Sequence, residues 1–193
     1  MNSRKKIIAL TGGIGSGKSY VCQLLAQQGI NVYDCDAAAK RIMRTNHTVI
    51  SALQQLVGPQ VYQGGVLQKA VLAKYLLTSE TNKQAVNGIV HPAVAHDFLL
   101  SDDEWIESAI LFDAHFDQLI LPTYIICVTA PANVRIQRIM QRDHITHQQA
   151  AEWVNKQMPQ ALVVRQSNYQ IINDGKTELM QQVKRIVAKI ASM

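Results

Sequence analysis

The expected fold follows from one stretch of the chain, Leu10-Thr11-Gly12-Gly13-Ile14-Gly15-Ser16-Gly17-Lys18-Ser19. It satisfies the phosphate-loop pattern G-x-x-x-x-G-K-[ST], with Gly12, Gly17, Lys18 and Ser19 at the fixed positions. The residues before it, 6–10, are apolar enough for a short buried strand, and the apolar spacing after it is helical. A strand, a glycine loop and a helix are the setting that the motif requires. The stretch therefore predicts an α/β nucleotide-binding core with a parallel sheet flanked by helices.

The chemistry of such a loop follows from its glycines. They allow backbone conformations in which successive N–H groups turn toward one anion, and the start of the next helix adds further N–H groups. Lys18 is expected to reach the β- and γ-phosphates, and the Ser19 hydroxyl is expected to bind Mg²⁺. The alternative is a glycine-rich turn without a ligand, which the agreement of strand, spacing and helix disfavours.

Size and charge narrow the class of protein. The chain has 193 residues and a formal net charge of +5, with 48% hydrophobic residues. No apolar run approaches the ~20 residues that span a bilayer, and the three cysteines lack metal-ligand spacing. No basic run is long enough for a nucleic-acid arm, so we expect small phosphorylated ligands, no nucleic acid and no membrane partner. Free thiols favour the cytoplasm.

Two carboxylates follow the next predicted strand. Residues 30–33 read as this strand, and Asp34-Cys35-Asp36 lead into a helix. Ligands of an open parallel sheet lie beyond the carboxyl ends of its strands. Capping of the helix is the favoured interpretation for Asp34, and ligand contact is favoured for Asp36.

Residues 45–100 lack strong strand signals and are expected to form a mostly helical insertion for the second substrate. Within it, Thr81-x-x-Gln84 predicts a capping box, and His91-Pro92 is expected to interrupt a helix. Farther on, 105–112 reads as a buried strand that leads to Asp113, and 124–129 as another strand.

A helix is expected after Pro131, with three arginines on one face. Arg135, Arg138 and Arg142 stand at i, i+3 and i+7. They are either a solvated surface or, as we favour, a polyphosphate clamp.

The helical stretch from 143 to 166 is interrupted by Pro159, with a capping box at Thr146-x-x-Gln149, and predicts a lid. A strand at 170–172, a turn and a closing helix follow.

Over nearly its whole length the chain resembles the dephospho-CoA kinase family. The matching segments are the loop 11–19, Asp34-Cys35-Asp36, His91-Pro92, Arg135-x-x-Arg138-x-x-x-Arg142-Asp143 and Ile171-Ile172-Asn173-Asp174-Gly175. The resemblance implies one P-loop kinase domain over 1–193, with a core at about 1–44, 104–142 and 167–193, a CoA-binding helical insertion at about 45–103 and a lid at about 143–166. It also implies ATP-dependent phosphorylation of the ribose 3′-hydroxyl of dephospho-CoA, with Mg²⁺. We expect a monomer or a weak homo-oligomer.

The resemblance also assigns roles to residues. The catalytic set is Asp36 as base, Lys18, and Arg138 at the transition state. The ATP-binding set is Thr11, Gly12, Gly13, Ile14, Gly15, Ser16, Gly17, Lys18, Ser19, Tyr20, Arg142 and Asn173, the last toward adenine. The substrate-binding set is Asp34, Asp36, Arg41, Lys69, His91 and Asp113, and the metal ligand is Ser19. The chain departs from the usual family pattern at Tyr20, Ala109, Asp113 and Asn168.

Two other hypotheses for the function stay open. One is a different small-molecule or nucleoside monophosphate kinase of the P-loop class, which would share the loop and lid. The other is a nucleotide-dependent switch. A GTPase switch should carry Asn-Lys-x-Asp, and Asn155-Lys156-Gln157-Met158 lacks the aspartate.

Overall fold

The computed structural model of the chain describes residues 5–192. The predicted core range extends to residues 1–4 and 193, which lie outside the described part. The strands are β1 (Ile8–Thr11), β2 (Val32–Asp34), β3 (Tyr62–Gln63), β4 (Val66–Leu67), β5 (Trp105–Glu107), β6 (Tyr124–Thr129) and β7 (Tyr169–Ile172). The helices are α1 (Lys18–Ala26), α2 (Cys35–Thr45), α3 (His47–Val57), α4 (Lys69–Thr78), α5 (Glu80–Leu100), α6 (Phe116–Ile120), α7 (Ala132–Asp143), α8 (His147–Asn155), α9 (Gln160–Arg165) and α10 (Leu179–Ala191).

A five-stranded sheet in the order β2-β5-β1-β6-β7 carries the first strand at its centre. β1 pairs in parallel with both β5 and β6, so that Ile8 lies opposite Trp105 on one side and Tyr124 on the other. β6 pairs in parallel with β7. Because parallel strands end at one edge, the loop after β1 opens at the carboxyl edge of the sheet. The predicted parallel α/β sheet is confirmed.

The apolar core of this part lies between the sheet and helices α1 and α10. Leu10 and Ile126 from the strands pack with Val21, Leu25 and Val183 from the helices. Strands of a parallel sheet are covered on both faces, which is why β1 and β6 read as continuous apolar runs. This packing fixes the end of β1 and the start of α1, the two supports of the glycine loop.

The chain separates into two compact units. One comprises the residues up to Tyr33 and from Asp103 onward, and the other comprises Asp34–Asp102. In the second unit α5 packs against α2, α3 and α4, and β3 pairs with β4 in a short hairpin. No helix within residues 5–192 is both long enough and apolar enough to cross a membrane. The functional division into core, CoA-binding insertion and lid stays a prediction.

Three predicted boundaries are confirmed. α1 ends before Gly29, which has a φ of +76°. Thr146 and Gln149 form the capping box of α8 through reciprocal hydrogen bonds. Pro159 separates α8 from α9, because it lies directly before the first residue of α9. These boundaries are set by local backbone chemistry, which the sequence displays directly.

The predicted interruption at His91-Pro92 is wrong. α5 runs unbroken from Glu80 to Leu100 with Pro92 inside it. A proline removes one backbone hydrogen bond, but the buried side chains of this helix, such as Val86, Val90 and Phe98, are packed within a helical unit. The packing outweighs the local preference.

The cap of α5 also differs from the prediction. Ser79, not Thr81, is the N-cap, and its hydroxyl accepts from the Asn82 N–H at 3.1 Å. The helix thus begins two residues before the expected capping box, because Ser79 offers the same side-chain acceptor earlier in the chain.

Two strand predictions also need correction. The hairpin of β3 and β4 was not predicted, and its turn uses Gly64 and Gly65 at φ +56° and +78°. β5 ends at Glu107 rather than at residue 112. Its partner β1 ends at Thr11, where the glycine loop begins, and the Ser108 N–H makes the last bond to the Leu10 carbonyl oxygen. Beyond this point β1 no longer runs beside residues 109–112, which form turns.

Candidate functional site

The glycine loop lies between β1 and α1 in a conformation that needs glycine. Gly12, Gly15 and Gly17 have φ of +144°, +76° and +94°. A Cβ atom at Gly12 would lie 2.2 Å from the Val128 carbonyl oxygen, and one at Gly17 would lie 2.0 Å from Nδ2 of Asn173. No side chain fits at either position. The loop is therefore packed closely against the core while its backbone remains available for an anion.

Lys18 lies in the first turn of α1 and folds back over the loop. Its Nζ donates to the Gly12 carbonyl oxygen at 2.8 Å and lies 3.7 Å from Oε1 of Glu107. Glu107 ends β5, the strand beside β1. The ammonium group of Lys18 is thus held over the loop by the Gly12 and Gly13 carbonyl oxygens and by the carboxylate of Glu107.

Glu107 is outside the set of site residues predicted from the sequence. The signal was available, because an acid at the carboxyl end of a strand adjacent to β1 must lie near the loop. A strand that continues to residue 112, as the apolar run predicts, puts Asp113 at that position instead.

Arg138 and Asn173 brace the loop from its carbonyl side. Nδ2 of Asn173 donates to the Ser16 carbonyl oxygen at 2.8 Å. Nη1 of Arg138 donates to the carbonyl oxygens of Gly15 and Ser16 at 3.3 and 3.4 Å, and Nη2 donates to Oδ1 of Asn173 at 3.1 Å. In a trans peptide the C=O and the following N–H point in opposite directions. Holding these carbonyls therefore directs the N–H of Gly17 to the opposite side, where an anion can bind.

Arg135 is buried against the neighbouring part of the loop. Its Nε donates to the Ile14 carbonyl oxygen at 2.8 Å, and its Nη2 donates to Oε1 of Gln157 at 2.9 Å. Burial lowers the pKa of the Arg135 guanidinium, because desolvation disfavours its charged form. An arginine nevertheless stays protonated in proteins. The site thus holds a fixed positive charge beside the loop.

Arg142 is placed differently from the other two arginines of α7. It is exposed, and its Nη2 lies 2.7 Å from Oδ2 of Asp143. This hydrogen bond raises the pKa of Arg142 and lowers that of Asp143. Two of the three arginines therefore contact the phosphate loop, and the third pairs with its neighbour at the end of the helix.

Asp113 fixes the segment between α8 and α9. Its Oδ1 accepts from the Met158 N–H at 2.9 Å, and Oε1 of Gln160 accepts from the Ala130 N–H at 3.2 Å. A small recess lies beside the loop and is lined by Gly12, Gly13 and Asp113, among others. The buried thiol of Cys127 also lines it, and burial raises its pKa to about 11, so the thiol stays protonated at neutral pH.

The remaining candidates belong to the unit Asp34–Asp102. Oδ1 of Asp34 accepts from the Ala37 N–H at 2.9 Å, which confirms its capping of α2, and Asp36 is exposed in the first turn of that helix. Arg41 pairs with Asp97 at 2.5 Å. Lys69 is exposed at the start of α4, and His91 is half-buried in α5, where desolvation lowers its pKa. The roles of these residues toward ligands stay predictions.

The departures from the family pattern have structural counterparts. Tyr20 is exposed in the first turn of α1. Oδ1 of Asn168 accepts from the Ile125 N–H at 2.8 Å, a bond that the aspartate common in the family would also make. Ala109 lines the recess beside the loop. The Tyr20 N–H donates to the Gly17 carbonyl oxygen at 3.1 Å, whereas its side chain is exposed.

Comparisons with known proteins agree with this geometry. The family model described as dephospho-CoA kinase matches residues 6–178. The dephospho-CoA kinase of Bacteroides fragilis is 36% identical over 188 residues, which are 94% of this chain and 91% of the relative.

Solved structures show the same fold. A crystal structure of a protein from Thermus thermophilus superposes with a TM-score of 0.81 at 26% identity, covering 97% of this chain and 99% of the other. A dephospho-CoA kinase from Campylobacter jejuni reaches 0.69 at 16% identity, with coverage of 96% and 97%. At that identity the second likeness concerns the fold alone.

Proposed function

The chain belongs to the dephospho-CoA kinase family, and on that premise we propose that it transfers the γ-phosphoryl group of ATP to the ribose 3′-hydroxyl of dephospho-CoA. The product is coenzyme A, and the reaction is the last step of coenzyme A synthesis. The observation that supports this most strongly is the phosphate loop with Lys18 folded over it, in a chain matched by the family over residues 6–178.

The phosphate loop is the proposed binding site of the phosphoryl donor, ATP. The N–H groups at the start of α1 and the ammonium of Lys18 are proposed to hold the β- and γ-phosphates. Arg138 donates to loop carbonyls in this structure, and it is proposed to turn from them to the phosphoryl group and offset its developing charge when ATP binds. Arg142, exposed at the end of α7, is proposed to contact nucleotide phosphate. Positioning and charge compensation supply most of the catalysis in this class of reaction.

Asp36 is the residue proposed to bind and deprotonate the acceptor hydroxyl. An exposed carboxylate in the first turn of α2 can both orient a hydroxyl and accept its proton. Asp34 is used as the cap of the same helix, which leaves Asp36 as the better candidate for the base. Arg41, Lys69 and His91 are proposed contacts for the phosphates of the acceptor, and Asp113 is proposed to border the acceptor through the recess that it lines.

The residues at the loop fit Mg²⁺. The hydroxyl of Ser19 is exposed in the first turn of α1, and the carboxylate of Glu107 lies beside Lys18. Both are the oxygen donors that Mg²⁺ takes, and nucleotide sites are usually completed by substrate phosphates and water. Among the described residues, no group of three or more His, Cys, Asp or Glu could hold a metal by itself. Ser19 and Glu107 would therefore share the ion with ATP, and the bound ion would offset phosphate charge.

The proposed partners are the two small substrates, ATP and dephospho-CoA. Both substrates carry several negatively charged phosphates, which a protein with a net charge of +5 attracts. The charge therefore does not require nucleic acid or a membrane as a partner. We place the reaction in the cytoplasm and expect a monomer or a weak homo-oligomer.

The test is an ADP-release assay with a panel of acceptors. Purified protein with ATP and Mg²⁺ is given dephospho-CoA, adenosine, AMP or shikimate in parallel, and the product is checked for phosphate at the ribose 3′ position. We expect turnover with dephospho-CoA to exceed the others by orders of magnitude. Faster turnover of AMP or shikimate would instead support another small-molecule kinase.

A further inference from the structure

Gln157 joins the segment between α8 and α9 to the phosphate loop. Its Oε1 accepts two hydrogen bonds, one from the Ile14 N–H at 2.8 Å and one from Nη2 of Arg135 at 2.9 Å. Ile14 and Gln157 are 143 residues apart in the chain. Gln157 is outside every residue set that the loop motif or the arginine spacing predicts.

The contacts close a ring. Arg135 also donates from Nε to the Ile14 carbonyl oxygen at 2.8 Å. Both the N–H and the C=O of Ile14 are thus bound by side chains that are bound to each other. This fixes the two peptide planes on either side of Ile14, in a loop whose next residue, Gly15, has a φ of +76°.

The direction of these hydrogen bonds shows on which side of the phosphate loop Gln157 lies. The C=O of Ile14 points toward Arg135, so the N–H of Gly15 in the same peptide plane points the opposite way. The side-chain oxygen of Gln157 is on the arginine side, together with the Ile14 N–H. Gln157 therefore meets the loop from the side of Arg135, and the N–H of Gly15 points away from Arg135.

The energetics require an acceptor at residue 157. Arg135 is only 5% exposed, and its two acceptors, the Ile14 carbonyl and the Gln157 amide, are neutral. Without the amide oxygen, a guanidinium N–H and a backbone N–H would both lose their partner in a part-buried place. Unsatisfied donors of this kind are costly, so the loop would rearrange to recover them.

The backbone of the segment between α8 and α9 is itself held in place, so Gln157 can support the phosphate loop. The Met158 N–H donates to Oδ1 of Asp113, the residue that follows the β5 strand by a short turn. A side chain can hold a loop in place only if its own backbone is held, and here the adjacent residue provides that anchor.

We propose that Gln157 is a positioning residue that holds the phosphate loop in its binding conformation before the nucleotide arrives. Nucleotide affinity then depends on the α8–α9 segment even though Gln157 need not touch the ligand. The inference deepens the proposed function and relies on only one part of it, the binding of nucleotide at the loop.

The test compares two glutamines of the same segment. Gln157→Met keeps the length of the side chain and removes the acceptor. Gln160→Met makes the same change where the side-chain oxygen accepts from the Ala130 N–H instead of the loop. Calorimetric titration with ADP and with ATP, without acceptor substrate, should give a Kd about 10-fold higher for Gln157→Met and unchanged for Gln160→Met. In turnover, the KM for ATP should rise with Kd while kcat changes less than twofold.

Hydrogen exchange of the nucleotide-free protein gives a second readout. Residues 13–16 should exchange faster in Gln157→Met, and protection should return in Gln157→Glu, whose carboxylate keeps an acceptor for Ile14 and Arg135. The measurement contains no nucleotide, so repulsion between the carboxylate and phosphate does not enter. Should Gln157→Met fail to fold, Gln157→Asn, whose amide is one methylene shorter, is expected to change affinity and exchange in the same direction.

Two results would overturn the proposal. Tighter nucleotide binding by Gln157→Met would show that the side chain obstructs the loop, and unchanged binding and exchange would show that it does not support it. Failure of the proposed function looks different, because a protein that binds ATP normally but never phosphorylates dephospho-CoA leaves the Gln157 comparison intact.

Discussion

Asn173 and Ser16 are 157 residues apart in the chain, yet Nδ2 of Asn173 donates to the Ser16 carbonyl oxygen at 2.8 Å. Asn173 follows β7 directly, is 6% exposed, and also accepts from Arg138. Asn173 thus links β7, which is the edge strand of the sheet, with α7 and the phosphate loop. This contact supports a role in holding the loop, whereas contact with adenine stays a prediction.

Replacing this asparagine should weaken both the fold and nucleotide binding. Asn173→Ala removes a buried hydrogen bond to the loop, so we expect a loss of about 1–3 kcal/mol in the free energy of unfolding and a roughly 10-fold higher Kd for ATP. Asn168→Ala is the control, because its Oδ1 bonds the Ile125 N–H away from the loop. It should cost about 1 kcal/mol and leave ATP affinity unchanged. Denaturant unfolding and calorimetry measure the two quantities; equal loss of ATP affinity in both variants would contradict the prediction.

Arg138 should matter more for turnover than for ATP binding. Its guanidinium is held at the Gly15 and Ser16 carbonyl oxygens, and its proposed role is to turn from them to the phosphoryl group during transfer. We expect Arg138→Ala to lower kcat by roughly 100-fold or more, with a smaller rise in the KM for ATP because the loop carbonyls lose a donor. Arg165→Ala, an exposed arginine at the end of α9, should change neither constant. Steady-state kinetics with saturating acceptor decide this, and an unchanged kcat for Arg138→Ala would leave the residue as a structural brace.

The local features of the site could be predicted from the sequence. The strand, the glycine loop, the start of α1 and the capping box at Thr146 depend on neighbouring residues, and each is where the sequence indicates. The arginine spacing also predicted a shared face, and Arg135 and Arg138 both reach the loop.

The supports of the loop could not be predicted in the same way. Gln157 and Asn173 reach it only because distant segments meet at one edge of the sheet, and an isolated glutamine carries no pattern that marks it. Pro92 shows the opposite case, where a clear local signal was outweighed by the packing of α5 within its unit. What a sequence pattern predicts best is therefore the ligand-facing backbone, and what it predicts least is the set of side chains behind it.

His91 should make stability depend on pH. Burial lowers its pKa below the ordinary value of 6.5, so as the pH falls below 6.5 the unfolded chain binds a proton before the folded chain does. The free energy of unfolding should therefore decrease between pH 6.5 and the lower pKa of the folded state, with no contribution from this group above pH 6.5. Urea unfolding at pH 5.0 to 7.5 should show a flatter decrease for His91→Gln. The same change at exposed His96, on the same helix, is the control and should keep the wild-type slope; a wild-type slope in both variants would contradict the prediction.

The two neighbouring aspartates should separate in kinetics. Oδ1 of Asp34 is engaged with the Ala37 N–H, and asparagine caps a helix as well as aspartate does, so Asp34→Asn should keep α2 and most of the turnover. Asp36 is exposed in the same turn, and Asp36→Asn keeps its shape while removing the charge and most of the basicity. We expect kcat to fall by roughly 100- to 10,000-fold, the range for loss of a general base, while ATP binds normally. Both variants are measured at saturating ATP and dephospho-CoA. Near-normal turnover by Asp36→Asn, together with an inactive Asp34→Asn or Asp113→Asn, would mean that the base is a different carboxylate.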